Sequence, residues 1–205
     1  REQAVLSVKF GLMRAPNGGV VGNDLRPQAV KNFVAYTLRR LGTDYVDLWL
    51  VHWPPRGGTL VRTWERFRQL RDEGLTRAIG VSNYSTSQLD ELVMATGEAP
   101  AVNQIRWAPA LHDPKRLAEH RDRGVVLEGY SPFKSSDLRD RRLTEIAQTH
   151  GVTPAQVVLR WHLEHGIVVI PKSATPERIS SNLDVFSFAL TPAEVARHLA
   201  VGLGG

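Results

Sequence analysis

The chain has 205 residues, no cysteine, 42% hydrophobic and 23% charged residues, and a formal net charge of +5. This is the composition of an ordinary globular domain, and it excludes a disulfide scaffold and a thiolate metal site. Apolar runs stay well short of the roughly 18 residues that a membrane span needs, so we expect no contact with a membrane. The first residues carry no basic-then-apolar signal pattern, which favours the cytoplasm.

The positive charge is spread along the chain rather than collected in blocks. Arginines alternate with acidic residues, and runs of about five or six like charges are absent. A basic surface, or a basic pocket for a phosphorylated small molecule, explains this pattern better than binding to nucleic acid. We therefore expect a small-molecule ligand and no nucleic-acid partner.

Short apolar runs alternate along the chain with longer segments of helical periodicity. The runs predict six strands, at residues 5–9, 46–53, 77–81, 101–105, 125–129 and 167–171. The other segments predict helices at residues 27–41, 60–73, 87–95, 114–123, 138–150 and 155–164. The strands are almost continuously apolar, as in strands covered on both faces. Their alternation with helices predicts βαβ units and a parallel sheet.

Several helix starts carry the residues of a capping box. Thr153 offers an N-cap hydroxyl, Pro154 occupies the first helical position, and Gln156 is the capping-box glutamine. Ser85 with Gln88 is a second instance, and the Thr-Pro-Ala-Glu segment at residues 191–194 repeats the first pattern. Glycines stand where the helices are expected to end, at Gly42, Gly74, Gly124, Gly151 and Gly166.

Six βα units fit two α/β architectures. Because eight units close a barrel of about 250 residues, six indicate either an open doubly wound sheet or a barrel that lacks two units. Composition is even along the chain, so we expect a single domain over residues 1–205 with a flexible tail at 201–205. The Gly/Asn-rich residues 11–26 follow the first strand and predict either a long active-site loop or an insertion without function.

Polar residues end all six predicted strands, at the edge where parallel α/β folds place their sites. They are Lys9, His52, Ser82 with Asn83, Asn103 with Gln104, Tyr130 with Ser131, and Lys172 with Ser173. Each one alone is also explained as a helix cap or a satisfied buried polar group. Their presence on every strand favours a site, and a lysine and a histidine on neighbouring strands indicate an acid/base cluster.

Lys172 and Ser173, with Arg178 one helical turn later, predict a cationic pocket at a helix start. Free N–H groups, the helix dipole and two cations bind phosphate well. The sequence has no Gly-x-Gly-x-x-Gly or Walker loop, and the remaining histidines lack metal-ligand spacing. We therefore expect a phosphorylated ligand and no metal.

Several segments of the chain resemble the aldo-keto reductases. They are Gly-Thr-Asp-Tyr-Val-Asp-Leu-Trp-Leu-Val-His at residues 42–52, Gly-Val-Ser-Asn-Tyr at 80–84, Val-Asn-Gln at 102–104, Gly-Tyr-Ser-Pro at 129–132 and Ile-Pro-Lys-Ser-Ala-Thr-Pro-Glu-Arg at 170–178. The resemblance extends over residues 5–195, in family order and spacing. It implies a (β/α)8 TIM barrel that reduces carbonyl compounds with NADPH and without a metal. The six units then correspond to the third to eighth strands of that barrel.

The resemblance implies roles for residues at the catalytic and nicotinamide end of the site. Lys9 and His52 match the catalytic lysine and histidine. Ser82, Asn83 and Gln104 match the residues that hold the nicotinamide carboxamide, which needs both donors and acceptors.

Other residues match the family's contacts to the rest of NADPH. Tyr130, followed by Ser131, matches the tyrosine that stacks on the nicotinamide ring. Lys172 and Ser173 match the contacts to the 2′-phosphate. The family's arginine at the adenine and phosphate end and its adenine contact correspond to Arg178 and Asn182.

The family's catalytic tyrosine and its aspartate partner lie upstream of the part that this sequence matches. One hypothesis is therefore an NADPH-dependent reductase of aldehydes or ketones whose first two βα units, with the proton donor, precede this sequence. The alternative is a truncated relative that does not reduce carbonyls. It would bind NADPH as a regulatory or structural subunit, or act as a repurposed cyclase or lyase. Six strands alone leave two unpaired edges, so a homo-oligomer that completes the sheet is a further expectation.

Overall fold

The computed structural model describes residues 4–57, 60–134 and 136–199, with side chains as far as residue 196. The predicted tail at residues 201–205 lies outside the described residues. The chain forms two compact units. The first contains Arg1–Asn103 and Glu119–Val125, and the second contains Gln104–Ala118 and Val126–Gly205.

The first unit alternates strands and helices. Its elements are β1 (Ser7–Phe10), β2 (Leu12–Arg14), β3 (Val20–Asn23), α1 (Pro27–Leu41), β4 (Val46–Val51), α2 (Val61–Asp72), β5 (Thr76–Ser82) and α3 (Thr86–Thr96). Strand β6 (Val102–Arg106) and helix α4 (Pro114–Asp122) contribute residues to both units. Within the first unit the strand order is β1-β4-β5-β6, and β4 pairs in parallel with both β1 and β5. The α/β class with parallel strands is confirmed.

The second unit continues the alternation with shorter strands. Its elements are a 3-10 helix (Pro109–Leu111), β7 (Val126–Tyr130), α5 (Arg141–His150), α6 (Pro154–Glu164), β8 (Val168–Ile170), α7 (Pro176–Leu183) and α8 (Pro192–Leu199). Here the strand order is β6-β7-β8, with β7 and β8 parallel. Helix α8 begins where the second Thr-Pro pattern predicts a helix start. In the described part of the chain no helix has the length and apolar character required to cross a membrane.

The predicted loop at residues 11–26 is partly regular. It contains the antiparallel hairpin of β2 and β3, which the sequence analysis did not predict. The turn closes because the Gly18 N–H donates to the Ala15 carbonyl at 2.8 Å and Gly18 adopts a φ of +82°. Glycine reaches that left-handed conformation at little cost, so an Asn-Gly-Gly segment is suited to a hairpin turn.

Each unit has its own apolar core. In the first, the rings of Phe10 and Phe67 meet edge to face with centroids 5.9 Å apart, and Trp49 lies 6.4 Å from both. These three side chains are at most 1% exposed. In the second unit, Trp107 and Trp161 are completely buried. Because β1, β4 and α2 each contribute one ring to the first cluster, aromatic packing fixes β1 against its neighbours.

The predicted capping boxes are present. The Thr153 hydroxyl accepts a hydrogen bond from the Gln156 backbone N–H at 3.3 Å, and Gln156 Oε1 accepts one from the Thr153 N–H at 3.0 Å. Ser85 and Gln88 make the same reciprocal pair at the start of α3. The glycines expected at helix ends all have positive φ. Local sequence therefore sets these helix boundaries, as predicted.

Replacing the α6 cap should destabilise the protein measurably. We expect Thr153→Ala to lower the free energy of unfolding by about 1 kcal/mol, because the first turn of α6 loses its side-chain acceptor. The matched control is Thr149→Ala, an exposed threonine within α5 whose hydroxyl donates to the Glu145 carbonyl. Alanine favours the helix at that position, so this variant should be unchanged or slightly more stable. Urea unfolding of the two variants side by side measures the difference, and equal stabilities would contradict the capping role.

Candidate functional site

Lys9 and His52 come together because β1 and β4 pair in parallel and in register. Lys9 lies opposite Leu50 and Phe10 lies opposite Val51, so the two strands end at the same edge. The His52 N–H then donates to the Phe10 carbonyl at 2.9 Å, which places His52 directly beyond the last paired residues. The structure thus confirms that these two residues stand at adjacent strand ends.

The surroundings of His52 favour a neutral imidazole. Burial lowers its pKa below the ordinary histidine value, and the positive charges of Lys9 and Arg14 lower the pKa further. The His52 ring lies nearly parallel to Trp53, with centroids 6.0 Å apart. A neutral imidazole donates from one ring nitrogen and accepts at the other, so His52 is able to hydrogen-bond a polar ligand at neutral pH.

Arg14 is a component of this site that sequence reasoning missed. It lies on the β2–β3 hairpin, where its Nη1 donates to the Gly18 carbonyl at 2.8 Å. The Gly/Asn-rich composition of residues 11–26 predicted either an active-site loop or an insertion without function, and it did not indicate the position of Arg14, whose charge acts on His52. That position depends on the hairpin, whose strands are held by pairing across the turn.

Asn83 links the end of β5 to His52. Its Nδ2 donates to the His52 carbonyl at 2.9 Å and to Ser82 Oγ at 3.1 Å. Its φ is +65°, a left-handed conformation that asparagine tolerates better than most residues. Ser82 is fully buried, whereas Asn83 is half-buried. Of the two predicted carboxamide residues in this turn, Asn83 is therefore the one that a ligand reaches directly.

The approach of β5 to its neighbours requires a glycine two residues before Ser82. A Cβ on Gly80 would lie 2.7 Å from both Leu50 Cδ2 and the Val102 carbonyl oxygen, closer than real Cβ contacts. The absence of a side chain at residue 80 lets β5 lie tightly between β4 and the start of β6.

In the second unit, Gln104 is held by a residue that was not predicted. Its Nε2 donates to Glu128 Oε2 at 3.0 Å, and the two side chains are 2% and 7% exposed. A glutamate inside the apolar run Val-Val-Leu-Glu-Gly at residues 125–129 was the available signal. Because a carboxylate only accepts, the bond fixes which end of the Gln104 amide faces Glu128.

Tyr130 ends β7 and is half-buried, and burial raises the pKa of its hydroxyl. Its carbonyl accepts from the Trp107 N–H at 3.3 Å. Ser131 follows with a φ of +57°, a second non-glycine residue in the left-handed region. Such conformations are costly, and they are more frequent at functional sites than elsewhere.

Three of the predicted phosphate and adenine contacts surround one cavity of the second unit. Lys172, Ser173 and Asn182 line a space of about 830 Å³ whose other walls are mostly apolar, including Ile179 and Phe186. Ser173 Oγ also accepts from the Thr175 N–H at 3.1 Å, at the start of α7.

Arg178 is on α7 and exposed, but it is not part of the cavity lining. The first turn of α7 also carries the acidic Glu177. The structure therefore brings one predicted cation to the cavity wall and leaves the second on the neighbouring surface. Among the described residues, no group of three or more histidine, aspartate or glutamate side chains is arranged to hold a metal ion.

Comparison with known proteins identifies the family. Residues 1–201 match the model of the Aldo/keto reductase family, and the chain belongs to that family. It is 47% identical over 161 residues to an aldo-keto reductase of Mycolicibacterium smegmatis, covering 78% of this chain and 58% of that protein. It is 43% identical over 176 residues to morphine 6-dehydrogenase of Pseudomonas putida, covering 78% of this chain and 60% of that protein.

The fold is also similar to solved structures of the family. The crystal structure of a Bombyx mori aldo-keto reductase in complex with NADP matches with a TM-score of 0.84 and 28% identity, over 98% of this chain and 68% of that chain. The chain spans 58% and 60% of the length of the two curated relatives named above. The correspondence of its six strands to the third to eighth strands of a (β/α)8 barrel stays a prediction.

We predict that removing the positive charge of Arg14 raises the pKa of His52. In Arg14→Gln the cost of a second positive charge on the imidazole falls, so the pKa should rise toward the ordinary value of about 6.5. The control is Arg39→Gln, an exposed arginine in the last turn of α1, which should leave the His52 pKa unchanged. An NMR titration of the imidazole signals at low ionic strength measures the His52 pKa in the wild type and in both variants. An unchanged His52 pKa in Arg14→Gln would show that the hairpin does not act on the site.

Proposed function

We propose that this chain carries the cofactor-binding residues and two catalytic residues of an NADP(H)-dependent oxidoreductase. The reaction is the reduction of an aldehyde or ketone to an alcohol by hydride transfer. The observation that carries the proposal is the grouping of Lys9, His52 and Asn83 at adjacent strand ends, with the Asn83 amide bonded to the His52 carbonyl. Family membership and the reductase and dehydrogenase names of its relatives support it.

The residues of the second unit fit the adenosine end of NADP(H). Apolar walls suit an adenine ring, Lys172 offers a cation for a phosphate, and Ser173 and Asn182 offer hydroxyl and amide groups. Arg178, on the neighbouring surface, would supply a second cation to the 2′-phosphate. The NADP complex of the Bombyx mori relative supports a nicotinamide dinucleotide as the cofactor.

The residues of the first unit fit the nicotinamide end and the reacting carbonyl. The carboxamide of nicotinamide carries an N–H donor, and Asn83 Oδ1 is an acceptor suited to it, while both hydrogens of Asn83 Nδ2 bond to the chain itself. When bound, the nicotinamide supplies the hydride. His52, as a neutral imidazole, donates a hydrogen bond to the carbonyl oxygen of the substrate, and the cation of Lys9 stabilises the negative charge that develops there. We infer a small carbonyl compound as the substrate.

The product alcohol needs a proton donor, and Tyr36, Tyr45 and Tyr84 are poorly suited to that role. Tyr45 accepts a hydrogen bond from Arg77 at 2.8 Å, and burial strongly raises the pKa of Tyr84. Tyr36, on α1, is 56% exposed. We propose that a tyrosine upstream of this sequence donates the proton. Lys9 would lower the pKa of that tyrosine, because a nearby cation favours the phenolate.

The cationic residues of the second unit should set the preference for NADPH over NADH. We expect Lys172→Ala and Arg178→Ala each to weaken NADPH binding about tenfold, the effect of losing one charge-assisted hydrogen bond. NADH lacks the 2′-phosphate, so its affinity should stay the same. Lys115→Ala, an exposed lysine of α4, is the control and should change neither affinity. Tryptophan fluorescence titrations measure the affinities of the wild type and the three variants for NADPH and for NADH. Wild-type NADPH affinity in both site variants would contradict the assignment of the phosphate contacts.

Replacing His52 should impair catalysis more than it impairs NADPH binding. We expect His52→Gln to lower kcat for carbonyl-dependent NADPH oxidation by about 100-fold while the NADPH affinity changes little. His150→Gln, which alters a half-buried histidine bonded to Glu194, is the control. A steady-state assay over several small aldehydes and ketones provides the measurement. Because the proposed proton donor lies upstream of this sequence, the assay requires a protein that includes that tyrosine. NADPH binding without any oxidation by such a protein would instead favour the relative that binds the cofactor but does not reduce carbonyls.

A further inference from the structure

The side chain of Asn103 holds both backbone hydrogen-bonding groups of Tyr84. Asn103 Nδ2 donates to the Tyr84 carbonyl at 2.9 Å, and Asn103 Oδ1 accepts from the Tyr84 N–H at 3.3 Å. Asn103 is fully buried in β6, and Tyr84 is 6% exposed. The amide nitrogen must face the Tyr84 carbonyl and the amide oxygen must face the Tyr84 N–H. The two bonds therefore allow one orientation of the Asn103 side chain.

His120 fixes the same amide from α4. Its Nε2 lies 3.0 Å from Asn103 Nδ2, and the ring is 1% exposed. Because an amide nitrogen only donates, His120 Nε2 accepts this bond, and the imidazole is neutral with its proton on Nδ1. Both hydrogens of the Asn103 amide thus have acceptors, one on Tyr84 and one on His120.

This buried pair acts on the turn that carries Asn83. Tyr84 follows Asn83 directly, and Asn83 has the left-handed φ of +65° and donates to the His52 carbonyl. A left-handed conformation is less favourable for any residue other than glycine, so the turn needs contacts that hold it. The two hydrogen bonds between the Asn103 side chain and the backbone of Tyr84 supply these contacts.

Packing alone does not explain why residue 103 is an asparagine and residue 120 is a histidine. Leucine has nearly the shape of asparagine, and burying polar groups costs free energy unless they are hydrogen-bonded. Here the polar groups of Asn103 and His120 are directed at one another and at the backbone of a single turn. What they contribute is therefore the orientation of that turn.

We propose that Asn103, held by His120, is a positioning residue for the nicotinamide end of the site. It keeps Asn83 in the conformation that meets the carboxamide, and through the bond from Asn83 it also holds the backbone at His52. The inference rests on the proposed function for the role of Asn83. It adds two residues, on β6 and α4, that act on the cofactor without contacting it.

The test compares two ligands that share the phosphate end but differ at the nicotinamide. They are NADPH and 2′-phospho-ADP-ribose, which lacks the nicotinamide ring. Asn103→Leu should weaken NADPH binding about tenfold, the size expected for a lost ligand hydrogen bond, and should leave 2′-phospho-ADP-ribose within about twofold of the wild type. Calorimetric titration of the whole polypeptide gives both affinities. The ratio of the two is the readout, since a general loss of folded protein lowers both together.

Variants of His120 provide an independent test if Asn103→Leu folds poorly. His120→Leu removes the acceptor and should weaken NADPH binding several-fold. His120→Gln restores an acceptor oxygen for Asn103 Nδ2 and should recover wild-type affinity to within about threefold. Leu70→Ala, a buried position of α2, is the stability control. It should destabilise the protein measurably in urea unfolding without changing the ratio of the two affinities.

The outcomes separate this inference from the proposed function. A wild-type chain that fails to bind NADPH overturns the proposed function and this inference with it. A wild-type chain that binds NADPH, with an unchanged ratio of affinities in Asn103→Leu and His120→Leu, overturns the positioning role alone. A changed ratio in both leucine variants, with recovery in His120→Gln, supports it.

Discussion

The parallel pairing of β1 with β4 is the constraint on which the first unit's site depends. It places Lys9 and His52 at one edge because Phe10 lies opposite Val51 and its carbonyl accepts the His52 N–H. The pairing is held from the side by the aromatic contacts of Phe10 with Trp49 and Phe67. A shift of the register by one residue would turn Phe10 out of this cluster and Lys9 into it. The core and the site therefore require the same register.

Buried polar groups also hold two of the candidate site residues in a defined orientation. Gln104 is oriented by the carboxylate of Glu128, and the turn at Asn83 is held by Asn103. Buried amides and carboxylates are costly unless each group is bonded, so such contacts leave few alternative orientations. Each unit in this way presents amide groups in one defined orientation.

The electrostatic surroundings of the candidate residues differ between the two units. In the first, burial and two cations keep His52 neutral, so that it offers a hydrogen bond rather than a charge. In the second, Lys172 lies on the wall of a largely apolar cavity, together with Ser173 and Asn182. The net charge of +5 comes from lysines and arginines that are dispersed along the chain.

Local sequence determined the alternation of strands and helices, the capping boxes at Ser85 and Thr153, and the glycine helix ends, because these depend on residues within a few positions of one another. Motif spacing also identified the family and most of the candidate site. Only the tertiary structure decided the contacts made across long stretches of chain. Asn103 and His120 are 17 residues apart, and Gln104 and Glu128 are 24 apart. Arg14 lies on the β2–β3 hairpin, and its positive charge lowers the pKa of His52. No local pattern encodes such pairs, because strand pairing and helix packing bring them together.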